Sequence, residues 1–166
     1  MSKRPKLWML IGVPCAGKST WVDYQLENCD DPPFIASTDK LIDAYARLEG
    51  KTYNEVFKEY IKAAEKGMYM DLALATQNDM CVIWDQTNLT RKSRAKKLIM
   101  IPDHYEKIAV VFPTPDEAEL KRRLASRPGK TIPPHILDSM IEMLEWPEKD
   151  EGFDTIMQFE DYMLYV

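Results

Sequence analysis

No run of 18 or more apolar residues occurs in the chain, which excludes a membrane-spanning helix. The opening Met-Ser-Lys-Arg-Pro-Lys lacks a separate apolar region and a cleavage site, so no signal peptide is expected. Cysteine is scarce. Cys15, Cys29 and Cys81 are odd in number and scattered, with neither a CxxC pair nor a disulfide framework, which suits a reducing, cytoplasmic setting. The two histidines, His104 and His135, lie at segment edges without ligand spacing and suggest no chemistry. Internal repeats, low-complexity tracts and interdomain linkers are also missing, so the 166 residues read as one domain, 1–166, with a sizeable core. An overall excess of positive charge is absent too. The net charge of −5 argues mildly against a nucleic-acid partner, but its distribution argues the other way. Residues 86–130 hold eleven Lys/Arg against five Asp/Glu, whereas residues 131–166 hold nine acids and one base. The pattern predicts a basic working surface and an acidic, solvated segment after it.

What is present is concentrated near the start. Gly12, Gly17, Lys18 and Ser19 stand at G-x-x-x-x-G-K-[ST] spacing, after the apolar run Leu7 to Ile11 and before the periodic Trp21, Val22 and Leu26. This is the strand–loop–helix setting of a phosphate-binding loop. Gly12, Val13, Pro14, Cys15, Ala16, Gly17, Lys18, Ser19 and Thr20 are therefore expected to bind ATP. The glycines let backbone N–H groups turn inward onto phosphate oxygens, and the following helix adds its positive end. Lys18 would meet the β- and γ-phosphates, and Ser19 would hold Mg²⁺. A glycine-bearing turn is the plainer alternative, and the flanking strand and helix signals weigh against it. Cys15 reads as a small residue that the loop tolerates.

Further along, Phe34 to Ser37 reads as a buried strand, and Asp39 to Leu48 as a helix ended by Gly50. Asn54 to Gln77 reads as a longer helix with an apolar stripe at Phe57, Ile61, Ala64, Met68, Leu72 and Ala75. Cys81 to Trp84 and Lys107 to Phe112 are strands, with a basic helix from Arg91 to Ile99 between them. Thr114-Pro-Asp-Glu117 reads as a capping box, opening a helix with Leu120 and Leu124 inward. A loop follows, then a helix from Pro134 to Glu145 stopped by Trp146-Pro147, and a fifth strand at Thr155 to Phe159. Alternating strands and helices predict an α/β fold: a three-layer αβα sandwich around a central parallel sheet. Ligands of such sheets sit at the strands' C-terminal ends. The phosphate loop, Asp39 and the stretch Asp85 to Asn88 should therefore converge.

Phosphoryl transfer needs positioning, charge stabilisation and a group to take the acceptor's proton. Asp39, at the end of a strand, suits that base; the alternative is an N-cap, supplied by Thr38 or Asp39. Asp85 suits a Walker-B-like Mg²⁺ site or a brace for Lys18. Thr87 and Asn88 offer neutral donors towards a substrate, and Arg91 opens the basic helix beside them. Arg122, Arg123, Arg127 and Lys130 surround a Pro-Gly loop. They read as a lid over residues 122–133, with Arg123 and Arg127 towards ATP, or as an ordinary basic helix end.

Gly12 to Trp21, Ser37-Thr-Asp39, Thr87-Asn-Leu89 and Ser126-Arg127, Lys130, Ile132-Pro133 and Ile136 to Met140 resemble, in order, the phage polynucleotide kinase family (its kinase domain) and related P-loop DNA kinases. The resemblance implies a kinase module without the 3′-phosphatase domain and, if phage-encoded, a host cytoplasm. It matches Asp39 to the general base, Lys18 and Ser19 to the ATP–Mg²⁺ residues and Arg127 to the lid arginine. Two positions depart from the family. Its substrate-binding arginine three residues after the base is Ile42, and the acid before Thr-Asn is Gln86, with Asp85 one place earlier. The implied activity is transfer of the γ-phosphate of ATP to a nucleic-acid hydroxyl, first the 5′-hydroxyl of DNA or RNA. The alternatives are hydroxymethylated bases of phage DNA such as 5-hydroxymethyluracil, a small molecule or nucleoside, and, from a different class, a slowly hydrolysing nucleotide switch.

Overall fold

Five short apolar stretches form one sheet in the order β2-β3-β1-β4-β5. They are β1 (Lys6–Ile11), β2 (Phe34–Ala36), β3 (Val82–Trp84), β4 (Glu106–Val111) and β5 (Thr155–Gln158). Every pairing is parallel. The computed structural model describes residues 3–160. Among these residues six α-helices connect the strands: α1 (Lys18–Glu27), α2 (Thr38–Glu49), α3 (Tyr53–Gln77), α4 (Arg91–Leu98), α5 (Glu117–Ala125) and α6 (Pro134–Met143), with a short 3-10 helix at Lys149–Glu151 before β5. Parallel strands need such crossovers, and the helices then cover both faces.

The period of two along the strands divides the core. Leu7, Met9, Val82, Trp84 and Ala109 pack with Met68 and Leu72 of α3 and Leu98 of α4. Leu10, Ile83, Ile108 and Val110 face the other way, onto Trp21 and Val22 of α1, with Met140 and Ile141 of α6 against them. The result is the expected three-layer α/β architecture. The chain leaves β1 towards β2 on one side, while β4 joins on the other. A crevice therefore opens at the C-terminal end of β1.

Several boundaries differ from the sequence reading. Phe57 is 39 % exposed and Val56 is buried instead, because α3 starts at Tyr53 under a Thr52–Glu55 capping box that fixes its rotation. Thr114 does not cap α5. The Asp116 carboxylate does, accepting from the Glu119 N–H at 2.9 Å, so Pro115 stays outside the helix. Of the α5 leucines expected inward, Leu120 is buried and Leu124 only half-buried. α6 ends at Met143, before Trp146-Pro147, because Leu144 turns extended and the Glu145 N–H donates to the Leu89 carbonyl at 2.9 Å.

Candidate functional site

The phosphate loop is shaped by close approach. A Cβ on Gly12 would lie 2.9 Å from Phe112 Cβ, so only glycine lets the loop pass the end of β4, where its N–H donates to the Thr87 carbonyl at 3.0 Å. Cys15 and Gly17 both have positive φ, 64° and 105°, an arrangement that turns backbone N–H groups into a concave nest. Val13 and Ala16 point into the core beside Phe112. Together with Gly12 they shape the loop from behind, whereas Pro14, Cys15, Gly17, Lys18, Ser19 and Thr20 line the cleft. The Lys18 ammonium donates to the carbonyls of Gly12 at 2.8 Å and Val13 at 2.7 Å. Burial pushes it down to about 8, against the pull of Asp85 and Asp39.

That cleft, about 770 Å³, also takes in Asp39, Asp43, Asp85, Thr87, Arg127 and Lys130. The expected convergence at the sheet's C-terminal edge is present. Neither Thr38 nor Asp39 caps α2. The Ser37 hydroxyl does, accepting from the Lys40 N–H at 3.4 Å. Asp39 keeps its carboxylate for the cleft, where Oδ1 accepts from the Tyr53 hydroxyl at 2.7 Å and Oδ2 meets Lys130 at 3.1 Å. Asp85 follows β3, and burial lifts its carboxyl above the ordinary range while Lys18 opposes the shift. Gln86 is held between its neighbours, accepting from the Trp84 indole at 3.0 Å and donating to Thr38 Oγ1 at 3.2 Å.

The segment between α5 and α6 lies across this cleft. Arg123 donates to the Cys15 carbonyl at 3.0 Å, and Arg127 to the Cys15 sulfur at 3.0 Å. Arg122 instead pairs with Glu119 in solvent, as an ordinary basic helix end would. The Gly129 carbonyl accepts from the Asn54 N–H at 3.0 Å, and the Asn54 amide donates to Thr131 Oγ1 at 2.7 Å. Gly129 has φ 72°, and a Cβ there would stand 2.7 Å from Thr52 Cβ. The segment is seated on the start of α3.

Two expected substrate contacts lie elsewhere. Asn88 is 2 % exposed. Its amide donates to the Leu10 carbonyl at 2.7 Å and its side-chain oxygen accepts from Lys97, so it braces the turn after β3. Arg91 does not line the cleft, because its guanidinium pairs with Glu148 at 3.2 Å and Asp150 at 2.7 Å. Arg94 is fully buried, paired with Glu151 at 2.8 Å and donating to three backbone carbonyls. The acidic segment thus clasps the basic helix α4 and neutralises Arg91 and Arg94 of the anticipated basic surface.

Asp43 and Phe159 line the cleft, and Tyr53 reaches the Asp39 carboxylate, without any local motif marking them. The Thr52–Glu55 capping-box spacing could have placed Tyr53 at a helix start, but not opposite Asp39. Phe159 stacks on Phe112 with centroids 4.9 Å apart and lies beneath Gly17. Among the described residues no helix is long and apolar enough to cross a membrane.

Among solved structures, the chain is similar to a chain of the Pnkp1/Rnl/Hen1 RNA repair complex. The identity is 24 % and the TM-score 0.67, over 93 % of this chain and 48 % of that one. In a second structure of the Pnkp1/Rnl/Hen1 complex it spans 40 % of the matched chain, at 22 % identity and TM-score 0.56 over 74 % of its own length. The chain thus covers less than half the length of these relatives. A putative kinase from Chloroflexus aurantiacus J-10-fl is similar at 17 % identity and TM-score 0.67, over 94 % of this chain and 88 % of that one. At these identities the likeness is one of fold. The family profile described as AAA domain, AAA_33, matches residues 7–147, and the chain accordingly belongs to the AAA_33 family, with a P-loop kinase fold.

Proposed function

We propose that the chain transfers the γ-phosphate of ATP to a hydroxyl on a nucleic acid, in the first place the 5′-hydroxyl of a DNA or RNA end. One observation carries the reading: a single cleft joins the phosphate loop to an aspartate that helix capping leaves free. Lys18 and the loop N–H groups stabilise charge on the transferring phosphoryl group, and Arg123 and Arg127 close on it from the lid side. Asp39 accepts the hydroxyl proton. Ser19 and Asp85 suit Mg²⁺, since the first stands in the first turn of α1 and the second is a desolvated carboxylate lining the same cleft. They would hold it together with water, and bound there it would neutralise charge on the transferring phosphates. Nucleic acid as acceptor draws on the motif resemblance from Ser37 to Asp39 and from Ser126 to Met140, and on the likeness to a chain of an RNA repair complex. A cytoplasmic setting is part of this reading.

A second reading has its own observation. Arg91 and Arg94 are neutralised by acids, and Ile42 is buried between α2 and α3. None of these three positions offers a free cation to the phosphate beside a 5′ end. That favours a hydroxymethyl group on a DNA base, or a small molecule or nucleoside. Transfer of label from γ-labelled ATP to 5′-hydroxyl oligonucleotides, 5′-blocked hydroxymethyl-base DNA and free nucleosides separates the readings. The oligonucleotide should be labelled far better than the nucleoside at low salt, and equal labelling would discard the nucleic-acid acceptor. Asp39→Asn should lower transfer by about 10²–10⁴ with an unchanged melting temperature, because Ser37 does the capping. Wild-type turnover in that variant would remove Asp39 as base.

A further inference from the structure

Both oxygens of the Asp39 carboxylate are engaged before any acceptor arrives. Tyr53 donates to Oδ1 at 2.7 Å and Lys130 meets Oδ2 at 3.1 Å. The two donors come from different elements: Tyr53 is the first residue of α3, and Lys130 belongs to the segment between α5 and α6. They also touch each other, the Lys130 ammonium lying 4.2 Å from the centre of the Tyr53 ring. A third contact, from Lys130 to Asp43 at 3.4 Å, fixes the ammonium from the far side. Burial, followed by the hydrogen bond to Asp39, raises the Tyr53 hydroxyl far above its ordinary range, so it stays a donor throughout neutral pH.

We infer that Tyr53 and Lys130 are positioning residues for Asp39, which they hold as a pre-oriented base whose remaining lone pairs face the acceptor. An ionised carboxylate has about four acceptor sites. Two are used here, which fixes the plane of the group while leaving room for the incoming hydroxyl. An unsupported aspartate, 53 % exposed, would rotate about its side-chain torsions, and misplacement by about 1 Å can lower a rate by about 10²-fold. Lys130 adds a condition. It reaches Asp39 only while its loop is seated on α3 through Gly129, Asn54 and Thr131. Arg127, three residues earlier, reaches Cys15 of the phosphate loop from that same loop. One short segment thus addresses the donor side and the acceptor side together, and the base is fully oriented when the lid is down.

The inference rests on the reading of Asp39 as base, and its test keeps the two apart. Kinetics with γ-labelled ATP and a 5′-hydroxyl oligonucleotide, each varied against saturating levels of the other, compare wild type, Tyr53→Phe, Lys130→Met, Asp39→Asn and the double variants with Asp39→Asn. Tyr53→Phe keeps the ring and loses only the donor; Lys130→Met keeps the stem and loses the charge. Each should lower kcat by about 10-fold with KM for ATP unchanged. In the Asp39→Asn background neither should lower it further, since both act through the carboxylate. Multiplicative losses in the doubles, wild-type kcat in the singles, or an effect confined to the acceptor's KM would each overturn the inference while leaving Asp39 in place. Normal turnover by Asp39→Asn itself would instead overturn the functional reading, and this inference with it.

Discussion

Replacing Glu151 by Gln isolates the clasp between the acidic C-terminal segment and α4. The two side chains are 0 % and 2 % exposed for Arg94 and Glu151. The guanidinium donates to both carboxylate oxygens, at 2.8 and 3.0 Å, and to the carbonyls of Asn88, Leu89 and Glu145. Removing the acid strands a cation that cannot lose its proton, and breaking a buried pair from one side costs about 3–5 kcal/mol. Three carbonyls still solvate Arg94, which places the expected loss near the lower end, about 3 kcal/mol. A chain of this length loses roughly 2–4 °C per kcal/mol, so the melting temperature should fall by about 6–12 °C. The pH dependence follows with the same sign. Burial alone would raise the Glu151 carboxyl, but the hydrogen bonds from Arg94 and the Glu148 backbone outweigh it, and the group lies below its ordinary 4.5. The unfolded chain therefore takes up the proton first on acidification. The stability contributed by Glu151 is complete above pH 4.5 and fades below it. Differential scanning calorimetry of wild type and Glu151→Gln from pH 3 to 8 should show a gap that narrows at the acid end. A shift under 2 °C at neutral pH in the variant would refute the reasoning.

Lys18→Ala should lower transfer by about 10²–10³ with the far-ultraviolet circular dichroism unchanged. Because burial holds Lys18 near 8, ATP binding at pH 8.5–9 should take up a proton; calorimetry in buffers of different ionisation enthalpy should detect it in wild type and not in Lys18→Met. Ser37→Ala removes the α2 cap and should cost about 1 kcal/mol, read as a melting shift, whereas the same assay on Asp39→Asn should show none. Arg91 is committed to Glu148 and Asp150, so Arg91→Ala should leave the salt dependence of oligonucleotide affinity unchanged; a flatter slope would return Arg91 to the polymer-binding face.

The phosphate loop was legible because its physics is local. Glycine spacing, a lysine and the flanking strand and helix lie within sixteen residues, and the parallel sheet followed from alternation alone. Asp39 was legible as a strand-end carboxylate, but not its release from capping. Ser37, Thr38 and Asp39 are all good caps, and only the backbone path chooses among them. The same competition misled at α5, where Thr114 to Glu117 and Asp116 to Glu119 share one spacing. The basic helix was misread for a different reason. A run of Lys and Arg shows charge but not its partners, and the acids that take up Arg91 and Arg94 come 57 to 59 residues later. Tyr53 reaches Asp39, and Phe159 the phosphate loop, through contacts across the fold, where no periodicity reaches.

Phe159 carries one more consequence. The loop that sequence places at residues 12–19 rests on a ring from the far end of the described chain, through Phe112 and against Gly17. During synthesis the motif leaves the ribosome early and complete in composition, yet its floor is still untranslated. Domains emerge N-terminal end first, and parallel strands pair late because their partners are distant in sequence. A nascent chain short of β5 therefore carries the signature of a nucleotide site without the surface beneath it. Nucleotide capture becomes a report on vectorial folding: it registers when β5 has docked, and a ribosome-bound series of increasing length would show binding switch on only once Phe159 has cleared the exit tunnel.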